Sequence, residues 1–236
     1  NIILVVNGEP NSVFSEIFIK SLNKIKIKSP IIYIFSQKLL KKQMKRLKIK
    51  TRKELAAPDI QVHFIPYKVV LENGKRKLGK EPGITCTVNQ NLPESKGSIH
   101  IKSNNPEEYP SIKYNFLSSQ LDKDTLVAGV KLIRKLMQST HMKEFCDDEI
   151  QPGYQSSTDD DILEFIKNKA ETLYHPSGTC KMGFDQKSVV DKNLKVHGVK
   201  GLRIADASIM PTLVSGNTNA ACMMIGERCA DFIAKS

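Results

Sequence analysis

One stretch of the sequence brings together residue types that could move a proton. It reads His-Pro-Ser-Gly-Thr-Cys-Lys-Met-Gly over residues 175–183. Proline keeps the residue before it out of the helical conformation, so His175 is predicted to lie on extended backbone. Imidazole, with an unperturbed pKa of about 6.5, suits a general base at neutral pH. Taken alone, His175 would be interpreted as a hydrogen-bonded structural histidine.

A second polar loop precedes the last helical pattern of the chain. Residues 215–219 read Ser-Gly-Asn-Thr-Asn, a run of residue types that cap helices, and residues 220–234 have helical spacing. A helix start offers free backbone N–H groups and the positive end of the helix dipole, so it favours an electron-rich group in front of it. Upstream, residues 201–205 predict a short strand that ends at Asp206.

These motifs together resemble the C-terminal region of the glucose-methanol-choline (GMC) oxidoreductases, flavin enzymes that oxidise alcohols. Besides the two loops, the matching residues are Val-Asp at 190–191, the run at 196–211 that contains Gly-Leu-Arg-Ile-Ala-Asp-Ala-Ser-Ile-Met-Pro, and Ile-Gly-Glu at 225–227. An ordered set of this length is far more specific than a single glycine motif. The resemblance is choline-dehydrogenase-like and runs from about residue 59 to the C-terminus.

The resemblance implies roles for six residues. His175 would be the base that takes the hydroxyl proton of a small-molecule alcohol, and Asn217 would orient the substrate oxygen. Four further residues would contact FAD. Asp206 and Ala207 would lie beside its ribityl and phosphate portion, and Thr218 and Asn219 would lie near the pyrimidine edge of its ring. Seen alone, Asn217 would be interpreted as a helix-capping residue.

The elements before the site predict an α+β fold, mainly an antiparallel sheet covered by helices. Alternating apolar residues and glycine or proline boundaries predict strands at residues 59–64, 84–90, 98–102 and 111–116, and residues 69–82 are predicted to be a mobile loop. Asp122 is expected to cap one helix, and Thr158 with Asp161 predicts a capping box at the start of another. His63 and His100 lie on predicted strands, where structural roles are favoured.

The first 53 residues are interpreted as a separate, basic β-α-β-α segment, followed by the GMC-like region at residues 54–236. They hold 13 Lys and Arg but only two acidic residues, which accounts for the whole net charge of +11. Gly-Glu-Pro at 8–10, Ser-Glu-Ile at 15–17 and Leu-Leu-Lys-Lys-Gln at 39–43 weakly resemble the N-terminus of 4-hydroxythreonine-4-phosphate dehydrogenase. No catalytic residue of that enzyme is carried over, so the segment predicts a fusion.

The lysine run in this segment leaves an alternative function open. A non-catalytic binding or scaffold protein could use it to contact an anionic partner, although a solvated helix face is favoured and no specific nucleic acid is expected. No apolar run approaches the roughly 20 residues of a membrane-spanning helix. Five cysteines without a C-x-x-C pair predict reduced thiols in a cytoplasmic protein, with no metal site.

One expected motif is missing from the sequence. GMC enzymes hold FAD through a strand, a Gly-x-Gly-x-x-Gly turn and a helix, and no such glycine pattern occurs here. The expectation is therefore an incomplete enzyme that lacks the Rossmann half, binds FAD weakly or not at all alone, and has little turnover. A separate FAD-binding half is the expected partner.

Overall fold

A computed structural model describes residues 3–5, 31–33, 50–55, 58–72, 75–143 and 145–235. Contacts divide the chain into a unit of residues 1–49 and a unit of residues 50–236. In the first unit, strands β1 (Ile3–Val5) and β2 (Ile31–Tyr33) pair in parallel. The predicted helices of this segment lie outside the described residues, as does its lysine run apart from Lys50. The resemblance of the segment and its anionic partner therefore stay predictions.

The described residues of the second unit contain six strands, which form three antiparallel pairs. They are β3 (Ile60–Ile65), β4 (Val69–Glu72), β5 (Lys75–Leu78), β6 (Thr85–Gln90), β7 (Ser98–His100) and β8 (Ser111–Lys113). Strand β3 pairs with β6, β4 with β5, and β7 with β8. Small antiparallel sheets and helices thus confirm the coarse class that the sequence predicts, whereas their arrangement as one covered sheet stays a prediction.

The prediction of a mobile loop at residues 69–82 is wrong for most of that range. Strands β4 and β5 form a hairpin there, with Val69 opposite Leu78. The sequence between them is Asn73-Gly74, and an Asn-Gly pair is a strong hairpin signal. The backbone N–H of Gly79 donates to the Lys68 carbonyl at 2.8 Å, which closes the base of the hairpin.

The sequence predicted that Asp122 caps helix α1 (Gln120–Met137), and this prediction is wrong. Ser119 is its cap, because the Ser119 hydroxyl oxygen accepts a hydrogen bond from the backbone N–H of Leu121 at 3.2 Å. The serine lies one turn earlier than the aspartate and has the extended backbone of an N-cap residue, with φ of −84° and ψ of 140°. Asp122 therefore does not cap the helix.

Asp122 fastens helix α1 to strand β6 and to the loop that follows this strand. The residue is only 3% exposed. It accepts hydrogen bonds from Gln90 Nε2 at 3.0 Å, from the Glu94 N–H at 2.9 Å and from the Ser95 N–H at 2.8 Å. Burial by itself would raise the pKa of this carboxyl, but the bonds from Ser95, Glu94 and Gln90 outweigh it, so the pKa lies below its ordinary value.

Helix α2 (Thr140–Lys143) is short, and helix α3 (Asp159–Lys169) begins with the predicted capping box. The Asp161 N–H donates to Thr158 Oγ1 at 3.1 Å, while the Thr158 N–H donates to Asp161 Oδ2 at 3.0 Å. Ile162 and Ile166 of this helix are buried against Val127 of α1, with Phe165 partly buried beside them. This cluster is one of two cores among the described residues of the second unit.

The other core lies under the candidate site. Helix α4 (Asn219–Ala234) places Ile225 and Cys229 in it, as their helical spacing predicted. Its other buried members come from the segment before the helix: Val190, Leu194, Ile209 and Met210. Because this cluster includes residues just after each functional loop, it determines where those loops lie.

The strand predicted at residues 201–205 is wrong. Only Arg203 makes an isolated antiparallel bridge, to Lys195, and the Ile204 N–H donates to the Leu194 carbonyl at 3.1 Å. A strand needs a continuous partner, and the residues opposite this segment, 194–196, make only isolated bridges. Asp206 instead caps a 3-10 turn at Ala207–Ile209, where its Oδ1 accepts from the Ser208 N–H at 2.7 Å.

Among the residues described, no helix is long and apolar enough to cross a membrane. The five cysteines are free thiols. The cytoplasmic location stays a prediction.

Candidate active site

The histidine loop at residues 175–183 lies alongside residues 207–210 and is held there by backbone hydrogen bonds. Three N–H groups of the loop donate to three successive carbonyls: Gly178 to Ala207 at 3.3 Å, Cys180 to Ser208 at 2.9 Å, and Met182 to Ile209 at 2.8 Å. Ile209 and the following Met210 are buried in the core beneath. The loop is therefore anchored along its length although most of it is neither helix nor strand.

Two residues give the backbone of this loop its shape. Tyr174 has φ of 61°, a left-handed conformation that is uncommon for a residue with a side chain. Gly178 has φ of 84°, and a Cβ added there would lie 3.2 Å from the Met210 carbonyl oxygen. Glycine permits both the conformation and the close approach. The chain thus turns sharply just before His175 and again three residues after it.

His175 contacts the start of helix α4. Its Nδ1 lies 2.9 Å from Thr218 Oγ1, and the two share a hydrogen bond. The threonine is 8% exposed, while the imidazole is half-buried. In the part of the chain that the structure describes, Nε2 of this ring has no hydrogen-bond partner. The arrangement leaves Nε2 as the ring nitrogen that can meet a substrate.

Thr218 is the N-cap residue of α4, but it does not cap the helix with its side chain. Its backbone is already helical, with φ of −76° and ψ of −15°, whereas capping residues are usually extended. The first helical bond runs from the Cys222 N–H to the Thr218 carbonyl at 2.9 Å. The N–H groups of the first turn do not donate to the cap side chain, so they can donate to a ligand.

The two asparagines flank this threonine. Asn217 and Asn219 are both exposed. Because Asn217 is the neighbour of Thr218 in the chain, it lies beside the His175–Thr218 contact. Gly216, before it, has φ of 151° and donates its N–H to the Val214 carbonyl at 2.9 Å. A residue with a side chain would be strained at this conformation, so the glycine lets the loop present Asn217.

Asp206 and Ala207 connect to the histidine loop through backbone bonds. The Ala207 carbonyl accepts from the Gly178 N–H, and it also accepts from the Met210 N–H at 3.2 Å. Asp206 is exposed and uses one carboxylate oxygen, Oδ1, to cap the 3-10 turn. The structure therefore brings His175 and Thr218 into contact and joins Ala207 to the histidine loop.

His197 is a supporting residue that the sequence interpretation missed. Its ring Nε2 donates to the Gly183 carbonyl at 3.0 Å, and its backbone N–H donates to the Val189 carbonyl at 2.9 Å. These two bonds hold the far end of the histidine loop. The side chain lies within the run at 196–211 that carries the family resemblance. Nothing in the local sequence distinguishes it from an exposed turn histidine.

Asp191 supports the same region from a tight turn. Its Oδ1 accepts from the Asn193 N–H at 2.8 Å and from the Lys195 N–H at 2.9 Å. Burial opposes ionisation of this carboxyl, but those backbone bonds and the nearby positive charges of His197 and Lys195 outweigh it and lower its pKa. Leu194, at the end of the turn, has φ of 65° and is buried in the core below the site.

Comparison with known proteins identifies the family of this chain. The model of the GMC oxidoreductase family matches residues 93–226, more than half of the chain. The chain belongs to the GMC oxidoreductase family. A curated relative, the oxygen-dependent choline dehydrogenase of Escherichia coli (strain K12), is 42% identical over 185 residues, which cover 78% of this chain and 33% of that protein. The chain thus spans about a third of the length of the curated relatives it matches.

Two solved structures have a similar fold. Pyridoxine 4-oxidase from Mesorbium loti superposes with a TM-score of 0.71 at 25% identity and covers 80% of this chain and 37% of its own. An FAD-dependent oxidoreductase from Chaetomium thermophilum gives a TM-score of 0.62 at 30% identity, over 65% of this chain and 27% of its own.

Proposed function

We propose that this chain supplies the substrate-facing part of a GMC active site, in which His175 takes the hydroxyl proton of a small-molecule alcohol. The observation that carries the proposal is the bond between His175 Nδ1 and Thr218 Oγ1, because it fixes the ring and leaves Nε2 without a hydrogen-bond partner among the described residues. A positioned base of this kind contributes about 10²–10⁴-fold to a rate. The name of the curated relatives makes choline the first alcohol to test.

Asn217 is proposed to orient the substrate oxygen. An amide can donate and accept at the same time, so it can hold an alcohol oxygen while the hydroxyl proton points to a base. Its exposed side chain and its position directly before Thr218, which bonds His175, support this role. The glycine at position 216, with φ of 151°, supports it further because a larger residue would change the direction of the loop.

FAD is the proposed cofactor, and the residues present fit it. The start of helix α4 has backbone N–H groups that its cap side chain does not use, which suits the electron-rich edge of a flavin ring. The residues proposed to contact the cofactor are Asp206, Ala207, the backbone of Thr218, and Asn219. When bound, the flavin would supply an acceptor for the hydride of the alcohol carbon.

A separate FAD-binding half is the proposed partner. Two groups of large apolar side chains lie at the surface, Met223 and Met224 on α4, and Ile99, Ile112 and Phe116 on and after the β7–β8 hairpin, all at least 45% exposed. A helix that is apolar on most of its faces is normally covered by protein. The curated relatives are about three times as long as the matched part of this chain, so they contain further polypeptide of the kind that could cover these surfaces.

A chimera tests the proposed function. Residues 54–236 would replace the matched third of the E. coli choline dehydrogenase, and the chimera would be assayed for choline oxidation. His175→Gln should lower kcat by about 10²–10⁴-fold with little change in KM. His100→Gln is the matched control, because His100 is exposed on strand β7. If both variants oxidise choline as fast as the unchanged chimera, His175 is not the base.

A further inference from the structure

The hydroxyl of Thr218 is used in a way that its place at a helix start does not predict. A threonine at an N-cap normally accepts a bond from an N–H of the first helical turn. Here no such bond is made, the backbone of the residue is already helical, and Oγ1 lies 2.9 Å from His175 Nδ1 instead. Thr218 is 8% exposed, and the bond is partly buried. The side chain therefore bonds the histidine and does not cap the helix.

The direction of this hydrogen bond decides whether the histidine can act as a base. A neutral imidazole carries its proton on one nitrogen and accepts on the other. If Thr218 Oγ1 accepts, the proton is on Nδ1 and the lone pair of Nε2 is free. If Oγ1 donates, the proton is on Nε2, which then cannot take another. After proton uptake both nitrogens are donors, so only the arrangement with Oγ1 as acceptor is compatible with the charged ring.

We propose that Thr218 is a positioning residue that holds His175 in the tautomer with the proton on Nδ1, leaving Nε2 to accept the substrate proton. This inference rests on the proposed function of His175 as the base. It also changes the part that the family resemblance implied for Thr218. With the hydroxyl bound to the imidazole, only the backbone of the residue remains to face the cofactor.

The tautomer can be measured on the full chain without any turnover. Long-range ¹H–¹⁵N spectra of the ¹⁵N-labelled protein, recorded where imidazole is neutral, distinguish the two tautomers. The His175 signals are those that vanish in His175→Gln. The wild type and Thr218→Ser, which keeps the hydroxyl, should show mainly the Nδ1-protonated form. Thr218→Val, which keeps the shape, should shift the ratio towards the Nε2-protonated form by roughly two- to tenfold, the range that one neutral hydrogen bond supports.

Thr179→Val is the matched control, because Thr179 is an exposed threonine of the histidine loop and is not bonded to the ring. It should leave the tautomer ratio unchanged. The proposal is overturned if the wild type already carries its proton on Nε2, if Thr218→Val leaves the ratio unchanged, or if Thr179→Val shifts it equally. Because the wild-type spectrum alone can refute it, the test does not depend on whether Thr218→Val folds.

The chimera separates this proposal from the proposed function. If the tautomer shifts as expected while His175→Gln leaves choline oxidation unchanged, Thr218 positions a histidine that is not the base. If His175→Gln abolishes oxidation while the tautomer is insensitive to Thr218, the base stands and the positioning role fails. If both hold, Thr218→Val should lower kcat rather than raise KM, and Thr218→Ser should retain most of the rate.

Discussion

Replacing the buried carboxylate of Asp122 by an amide should destabilise the second unit by about 2–4 kcal/mol. Three N–H groups donate to this carboxylate, two to Oδ1 and the Ser95 N–H to Oδ2. In Asp122→Asn the amide oxygen can still accept two of them, but the amide nitrogen then faces the third as a second donor. A bond to a charged group is worth about 1.5–3 kcal/mol, and an unsatisfied buried donor costs about 1–3 kcal/mol. Partial relaxation of the surrounding side chains recovers some of this loss, so the expected total is about 2–4 kcal/mol.

The assay is urea denaturation of the full chain at neutral pH, which gives the free energy of unfolding. Asp124→Asn is the control, because Asp124 is exposed on the same helix and, within the described part of the chain, accepts only from Gln120 Nε2, at 2.8 Å. It should change the free energy by no more than about 0.5 kcal/mol. Equal losses in the two variants would refute the reasoning, since the effect would then follow from charge on the helix and not from the buried bonds.

The pH dependence of the Asp122 effect has a definite sign. Because the folded pKa is lowered below the ordinary value of 3.8, the carboxylate contributes stability that is fully present above this value. That contribution is lost as pH falls through the folded pKa. The difference between wild type and Asp122→Asn should therefore be constant at neutral pH and shrink under acid conditions. A difference that stays undiminished in acid would contradict this account.

Two further substitutions test the packing of the second unit by thermal denaturation. Gly129→Ala should lower stability by about 1–3 kcal/mol, because the added Cβ would lie 2.7 Å from Val88 Cγ2 and helix α1 would have to move away from strand β6. An unchanged Tm would show that the helix can move without cost. Thr158→Ala should cost about 1 kcal/mol through loss of the capping box with Asp161, and Thr158→Ser should restore most of it, whereas equal losses in both would exclude capping as the cause.

Features whose causes lie within a few residues could be predicted from the sequence. The capping box joins Thr158 to Asp161, three positions away, and the apolar spacing of helix α4 alone identifies its buried face. The Asn-Gly pair at 73–74 carries an equally local hairpin signal, and strands β4 and β5 pair on either side of it. The strand pattern at 201–205 failed for the opposite reason, because a strand depends on a partner that local sequence does not specify.

The decisive contacts of the site depend on long-range packing. His175 and Thr218 are 43 positions apart, and the donors of Asp122 lie 27 to 32 positions before it. Family resemblance identified the histidine and the threonine separately, but it could not reveal that their side chains bond to each other. That contact requires the core of Ile209, Met210 and Ile225 to bring the two loops together.

The rate of flavin reduction in the absence of oxygen tests the central claim most directly. Mixing the chimera with choline anaerobically isolates the step in which the alcohol loses its proton and hydride. His175→Gln should slow this reduction by about 10²–10⁴-fold, while His100→Gln should leave it unchanged. Reduction at the unchanged rate in His175→Gln would contradict the account, because the proton acceptor would then be another group.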